Sequence, residues 1–266
     1  MRYLVTFFLR NGIHSRRTWW LALLGLLPAG CAMLLWMAKP LLEDEGITVF
    51  GLFPDVGLLL FIKILLPLMA VFVGTAVVAD EVEERTLPYL ITRPLPRGTI
   101  VLAKLVAGFI TLASVLAISL FLTFMVLVLE PGSGGVAGNL GLLLKCEAVM
   151  LLGVAAYLPL FAFSGGLIKR PVLFGLFFAF GWERLVGFLP GNIRLMTVVH
   201  YLHELFPAGS STRGGMDIRN TIFGAIPGGE VSDGTAIVAL ILIAAVFTFL
   251  TTLLLKKKEY RLDQGE

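Results

Sequence analysis

The chain has 266 residues, 58% hydrophobic and only 15% charged, with a mean hydropathy of +0.92 and a formal net charge of +3. Soluble domains carry about 25% charged residues, so this much apolar surface cannot be hidden in one soluble core and must face lipid. No Lys/Arg-rich stripe with interleaved aromatics is present, so nucleic acid is not an expected partner, and two widely spaced cysteines, Cys31 and Cys146, form neither a disulfide framework nor a metal-ligand pattern.

Residues 1–17 alternate in a helical manner. Tyr3, Leu4, Phe7, Phe8 and Ile13 are apolar, and Arg2, Arg10, Asn11, Arg16 and Arg17 are polar. This predicts a helix lying on the membrane surface ahead of the first span. Leu27-Pro28-Ala29-Gly30-Cys31 approaches a lipoprotein cleavage box, but its leucine stands one position too far from the cysteine. The stretch before it is also long for a signal n-region. A retained spanning helix is the simpler reading.

A spanning helix needs about 20 mostly apolar residues. Six segments qualify: 18–38, 57–79, 99–129, 142–168, 171–189 and 235–255. The third is long enough to tilt or to extend past the lipid, and Glu183 and Arg184 interrupt the fifth. The runs are too long for strands and lack their period-two alternation, and a spanning backbone must satisfy its own hydrogen bonds. The expected fold is therefore all-α: one polytopic membrane domain over 1–266 with six transmembrane helices. The Gly- and Pro-rich segment 190–234 reads as turns and short interfacial helices.

Orientation follows from the placement of Lys and Arg. One set of connections holds Arg2, Arg10, Arg16, Arg17, Arg85, Arg93, Arg97, Lys169, Arg170, Lys256, Lys257, Lys258 and Arg261, with Lys104 just inside the third span, 14 in all. The other set holds six: Lys39, Lys145, Arg184, Arg194, Arg213 and Arg219. Both termini and residues 80–98 are thus expected in the cytoplasm of a multi-pass cell-membrane protein, with 39–56, 130–141 and 190–234 outside.

The segment 80–97, Asp-Glu-Val-Glu-Glu-Arg-Thr-Leu-Pro-Tyr-Leu-Ile-Thr-Arg-Pro-Leu-Pro-Arg, breaks two apolar runs. Asp80, Glu81, Glu83 and Glu84 cannot enter hydrocarbon without large cost. Thr86 can cap a new helix, and Pro88 is tolerated in its first turn. Leu87, Leu90 and Ile91 then form one apolar stripe, and Pro94 and Pro96 end the helix. Arg85, Arg93 and Arg97 flank it. A helix this short is unstable alone in water; the spans at its ends hold it, and a groove in a partner suits its apolar stripe, with an ordinary polar turn as the alternative reading of the spacing.

These residues carry a resemblance. Glu81, Glu84, Thr86, Leu87, Leu90, Thr92, Arg93, Pro94 and Arg97, followed by a span opening Ile-Val-Leu-Ala-Lys104, resemble the signature loop of the ABC type-2 permease family. Arg85 stands where members of that family commonly carry Gly. The resemblance implies that 80–97 includes a cytoplasmic coupling helix between spans two and three. It further implies contact with a separate ABC ATPase subunit that binds ATP and Mg, pairing with a second permease subunit, and an exporter or flippase mode. This chain has no G-x-x-x-x-G-K-[ST] loop of its own, so no cofactor is expected in it. Gly132-Ser133-Gly134-Gly135 lacks a following lysine and reads as an outer turn.

Lys63, Lys145, Glu147, Glu183 and Arg184 fall in or near the outer thirds of their spans. Intramembrane charge usually faces a cavity or a partner, so Lys63, Glu147, Glu183 and Arg184 are candidates for a polar lining. Mutual neutralisation, Lys63 with Glu147 or Glu183 with Arg184, together with snorkelling to the surface, is the alternative. His200, His203 and Glu204 match neither H-E-x-x-H nor H-x-x-E-H; a metal site is not expected there. An interfacial helix over 193–206 with Ile193, Met196, Val199 and Leu202 on one side accounts for them better.

The functional expectation is the permease subunit of an ATP-driven exporter, not an enzyme by itself. A non-transporting anchor that passes ATPase motion to an outer-side partner needs the same loop. An intramembrane enzyme needs catalytic groups, and His200 and Glu204 have no clearly spaced nucleophile. Nothing in the sequence identifies the cargo.

Overall fold

The computed structural model describes residues 2–13, 16–40, 48–83, 97–188, 192–207 and 232–262. These residues are almost entirely helical, with no strand among them. α1 (Arg2–Ile13) is followed by α2 (Arg16–Gly25) and α3 (Leu27–Met37). The second span is a continuous helical run: a 3₁₀ turn Phe50–Leu52, α4 (Phe53–Val56), a π-helical stretch Gly57–Leu65, and α5 (Leu66–Glu83). Then come α6 (Arg97–Val128), α7 (Gly135–Leu167), α8 (Pro171–Leu176), a second π-helical stretch Phe177–Trp182, α9 (Glu183–Phe188), a 3₁₀ turn Asn192–Met196, α10 (Val198–Leu205) and α11 (Asp233–Leu262).

Five helices are long and apolar enough to cross a membrane: Arg17–Met37, Phe50–Val78, Gly98–Val128, Gly135–Leu167 and Asp233–Leu254. They overlap five of the six expected spans, the second and fourth beginning seven residues earlier than expected. The expected fifth span, 171–189, is not among them. Its helical run covers 171–188 in three pieces, α8, the π-helical stretch and α9. A π stretch is a rare widening of the helix, and here it leads straight into the charged pair Glu183–Arg184.

α7 is the centre of the bundle. α5, α6 and α11 each pack along it, and α8 fits against α5 and α7. Lipid removes the hydrophobic force between helices, so close packing must hold them. Glycines allow it. A Cβ on Gly74 would come 2.8 Å from the Leu158 carbonyl oxygen, and one on Gly165 would come 2.6 Å from that of Thr75. Only Gly lets these two backbones approach so nearly. Several hydroxyls within the spans bond to their own helix: Thr75 to the Val71 carbonyl, Thr123 to that of Ser119 and Thr251 to that of Phe247. Among the described residues no buried hydroxyl lacks a partner.

The first span is broken at Leu26, where Pro28 opens α3 without an N–H. Ser119 of α6 donates its hydroxyl to the Gly25 carbonyl at this break. α2 and α3 keep a broad apolar face outward, including Trp19, Leu23, Met33 and Met37. α1 lies along α6, with the Lys104 ammonium 5.5 Å from the centre of the Phe8 ring. Leu4 and Phe8 are half-buried, while Tyr3 and Phe7 are exposed. The apolar residues of α1 therefore divide between a side that faces α6 and an open side.

The pairings define the two ends of the bundle. At one end, Gly166 meets Val78 and Leu254, and Gly108 meets Val73 and Val77. That end gathers the close of α5, the start of α6, the close of α7 and the last part of α11. At the other end Glu130, just past α6, meets Lys39, Val49 and Phe50. The connections 80–97 and 169–170 thus share one end, and 39–49 and 129–134 share the opposite one.

The expected amphipathic helix 193–206 is not one helix. Thr197 is extended (φ −106°, ψ 138°) and divides the 3₁₀ turn Asn192–Met196 from α10. The break rephases the faces. Ile193 and Met196 are exposed, Val199 is half-buried, and Leu202 is fully buried beside Gly153. The expected stripe therefore does not form, because helical periodicity does not carry across an extended residue.

Candidate functional site

The segment 80–97 is held between the close of α5 and the start of α6. The second span does not stop at its acidic cluster: α5 continues as helix through Glu83, with Glu81 in its last turn. Arg97 opens α6. Glu84, Arg85, Thr86, Leu87, Leu90, Ile91, Arg93 and Pro94 lie outside the described residues. What the structure supplies is the mount. α5 is fixed to α7 by the Gly74 and Gly165 contacts, and α6 to α5 by Gly108, whose added Cβ would stand 3.3 Å from Val73 Cγ1. The two helices that flank 80–97 are each closely packed, α5 on α7 backbone to backbone and α6 on α5 through the Gly108–Val73 contact.

A second cluster lies deeper in the bundle. Glu183, at the start of α9, is 4% exposed. The Tyr157 hydroxyl of α7 donates to its Oε2 at 2.5 Å, and the Val198 N–H donates to its Oε1 at 3.3 Å. Tyr157 is fully buried and stacked on Phe161, with ring centres 5.7 Å apart. Val198 is the first residue of α10. Thr197 is in the capping position, but its hydroxyl donates to the Arg194 carbonyl at 2.8 Å. Glu183 takes over the cap, where a carboxylate suits both the unpaired amide and the helix dipole. One side chain thereby ties α9, α7 and α10 together.

The four candidate lining residues occupy different surroundings. Glu183 is turned into the bundle and spends its oxygens on Tyr157 and Val198, while its neighbour Arg184 is exposed. Lys63 is half-buried in the π-helical stretch of the second span, and Glu147 is half-buried on α7. Lys145 is exposed.

Glu130 repeats the logic of Glu183 at the end of the bundle away from 80–97. It is 7% exposed and accepts from the N–H groups of Val49 at 3.3 Å and Phe50 at 2.7 Å, with Lys39 Nζ at 3.8 Å. Val49 has no capping side chain for the 3₁₀ turn it precedes, and Glu130 supplies the acceptor. Sequence reasoning passed over both Glu130 and Tyr157. The only available signal was a glutamate beside Pro131 and a tyrosine two residues before Pro159; their partners are remote in the chain.

His200 and His203 are buried on α10, and His203 Nδ1 lies 3.8 Å from Glu204 Oε1. Burial pushes the His200 imidazole below its ordinary value; Glu204 opposes that shift and Arg194 adds to it. Among the described residues no three His, Cys, Asp or Glu side chains gather as metal ligands. Gly132, Gly134 and Gly135 all adopt positive φ (94°, 82° and 71°) in the turn between α6 and α7, and the Ser133 hydroxyl donates to the Val128 carbonyl at 2.7 Å. This is a turn built on left-handed glycines. Cys146 is buried in α7 and Cys31 is half-buried; both are free thiols.

No protein of curated function matches the chain. Residues 13–181 match the family described as ABC-2 family transporter protein. The match takes in four of the long apolar helices and the whole of 80–97, and it ends two residues before Glu183. An all-helical, multi-pass membrane protein with this segment mounted between its second and third long apolar helices belongs to the ABC-2 family of transporter proteins.

Proposed function

We propose that this chain is the permease subunit of an ATP-binding cassette exporter, and that residues 80–97 couple it to a separate ATPase subunit. The observation that carries this reading is the family match over 13–181, which contains the segment whose residues resemble the family's signature loop. The bundle supports it mechanically. A docking element transmits force only if it is rigidly joined to the spans, and α5 and α6 are seated on their neighbours through glycines.

The charge pattern fits the same role. Asp80, Glu81 and Glu83 crowd the last turn of α5, where the negative end of the helix dipole disfavours acids. Cationic groups on a partner, or Arg85, Arg93 and Arg97 nearby in sequence, relieve that cost. Such charges fix register more than affinity. Leu87, Leu90 and Ile91 supply the apolar face that enters the partner's groove. In this reading both termini and 80–97 are cytoplasmic, the run 171–188 is a sixth span, two permease subunits pair around the pathway, and ATP and Mg bind the partner subunit. Lys63, Glu147 and Arg184 then border the outer mouth.

Copurification of the native complex tests the assembly, and its ATPase rate with and without this chain tests the coupling. Leu90→Asp combined with Glu84→Lys is expected to abolish stimulation of ATP hydrolysis while membrane insertion persists. Normal stimulation in the double variant, or a native complex without an ATPase chain, removes the docking role. Cargo movement in proteoliposomes separates transport from a purely mechanical role.

A further inference from the structure

α6 and α11 both lie against α7, and between them runs a groove of about 610 Å³, open sideways. That is within the roughly 300–1,000 Å³ of small-ligand sites. Leu102 and Phe109 form one wall, Ala245 and Phe249 the other, and Ala155 and Pro159 of α7 the floor. The small side chains of Ala155 and Ala245 leave the space that a bulkier residue would fill. The surface is almost wholly apolar. Its two hydroxyls, Thr248 and Thr252, are spent on the carbonyls of Ala244 and Phe249 in their own helix.

The groove has a direction. Leu102 and Thr252 mark the end at which α6 begins and α7 closes, since Gly166 of α7 meets Leu254. Basic residues collect at that end. Lys169 and Arg170 follow α7 and are exposed. Lys256, Lys257 and Lys258 continue α11 one turn beyond Thr252. α5, which carries Asp80, Glu81 and Glu83 at its close, contributes none of the lining. An apolar groove that runs along a spanning helix towards the part of its chain that carries three consecutive lysines offers an acyl chain its length and an anionic headgroup its charge.

We propose that this groove holds a phospholipid with an anionic headgroup, its acyl chain between α6 and α11 and its headgroup at Lys169, Arg170 and Lys256, Lys257 and Lys258. The inference does not depend on ATP coupling. It assigns a resident lipid, not the cargo, and it places that lipid at the end of the bundle that carries 80–97.

The full chain, reconstituted in nanodiscs of phosphatidylcholine doped with a photoactivatable phosphatidylglycerol, provides the test. Wild type is expected to crosslink at groove residues of α6 and α11 and to retain the acidic lipid through detergent exchange, as read by native mass spectrometry. Ala245→Trp fills the groove and should cut retention at least tenfold. The triple change of Lys256, Lys257 and Lys258 to Gln should cut it at least tenfold as well, given the electrostatic gain from each lysine near an anionic surface. It should leave phosphatidylcholine binding unaltered. Ala245 lies on an exposed face, and folding of both variants is checked by an unchanged gel-filtration profile. Equal retention in wild type and both variants overturns the proposal, as does crosslinking confined to α2 and α3. A change of oligomeric state in Ala245→Trp also overturns it, because the groove then seats a second copy of the chain.

Discussion

The hydroxyl of Tyr157 and the carboxylate of Glu183 meet at 2.5 Å inside the bundle, 26 residues apart in sequence. Through Glu183 the same contact reaches the first amide of α10. Tyr157→Phe leaves a buried carboxylate with one donor fewer, which costs about 1–3 kcal/mol. Glu183→Ala removes the cap as well and should cost more. A double-mutant cycle on thermal unfolding in detergent is expected to give a coupling of about 0.5–3 kcal/mol, as for other residues sharing one network. Additive effects would mean the two groups do not share a bond.

Glu130 caps a backbone some 80 residues away in the chain. Glu130→Ala should destabilise by about 0.5–2 kcal/mol, the usual cost of a lost cap. Glu130→Gln keeps an acceptor and should recover part of it, while Lys39→Ala should cost less than Glu130→Ala because Lys39 is partly exposed and its distance is long. Unfolding midpoints of the three variants provide the check.

Gly74→Ala and Gly165→Ala press a methyl group against a backbone carbonyl. Overpacking of this kind costs about 1–3 kcal/mol, and it should loosen α5 from α7. In the proposed complex, stimulation of ATP hydrolysis should fall alongside the thermal midpoint. Gly30→Ala is the matched control, since nothing stands within 4 Å of its added Cβ. It should be neutral or slightly stabilising, because Ala is the better helix former.

His200 makes stability depend on pH. Its folded value is held below the ordinary one of about 6.5, so the unfolded chain takes up the proton first. Its contribution is complete above about pH 6.5 and is lost as the pH falls below it. Glu204 and Arg194 face the same imidazole with opposite effects. His200→Gln should flatten the fall in the unfolding midpoint between pH 7.5 and 5.5. An unchanged pH dependence in that variant would assign the effect elsewhere.

The membrane class, the helical architecture and the places of five long helices could be read directly from the residues, although two of those helices, Phe50–Val78 and Gly135–Leu167, begin seven residues earlier than hydropathy marked. Each depends on the run of apolar side chains along one stretch, and the requirement that a spanning backbone bond to itself leaves no other element. The family resemblance carried by 81–97 was readable for the same reason: its residues are near one another in the chain. Reading failed where the backbone leaves regular geometry. Thr197 breaks what periodicity made one helix, and the π stretches displace the face on which Lys63 or Glu183 falls.

Sequence by itself determined that this chain crosses a membrane several times and offers one charged, Pro-bounded segment between two spans, because hydropathy and local motif are properties of neighbouring residues. Only the tertiary structure decided that Glu183 faces Tyr157 and not Arg184, that Glu130 caps Phe50, and that an open groove separates α6 from α11. Those arrangements follow from which helices glycine lets approach one another, and the bilayer, which favours no helix pairing by hydrophobicity alone, leaves that choice to packing and polar contacts between segments remote in the chain.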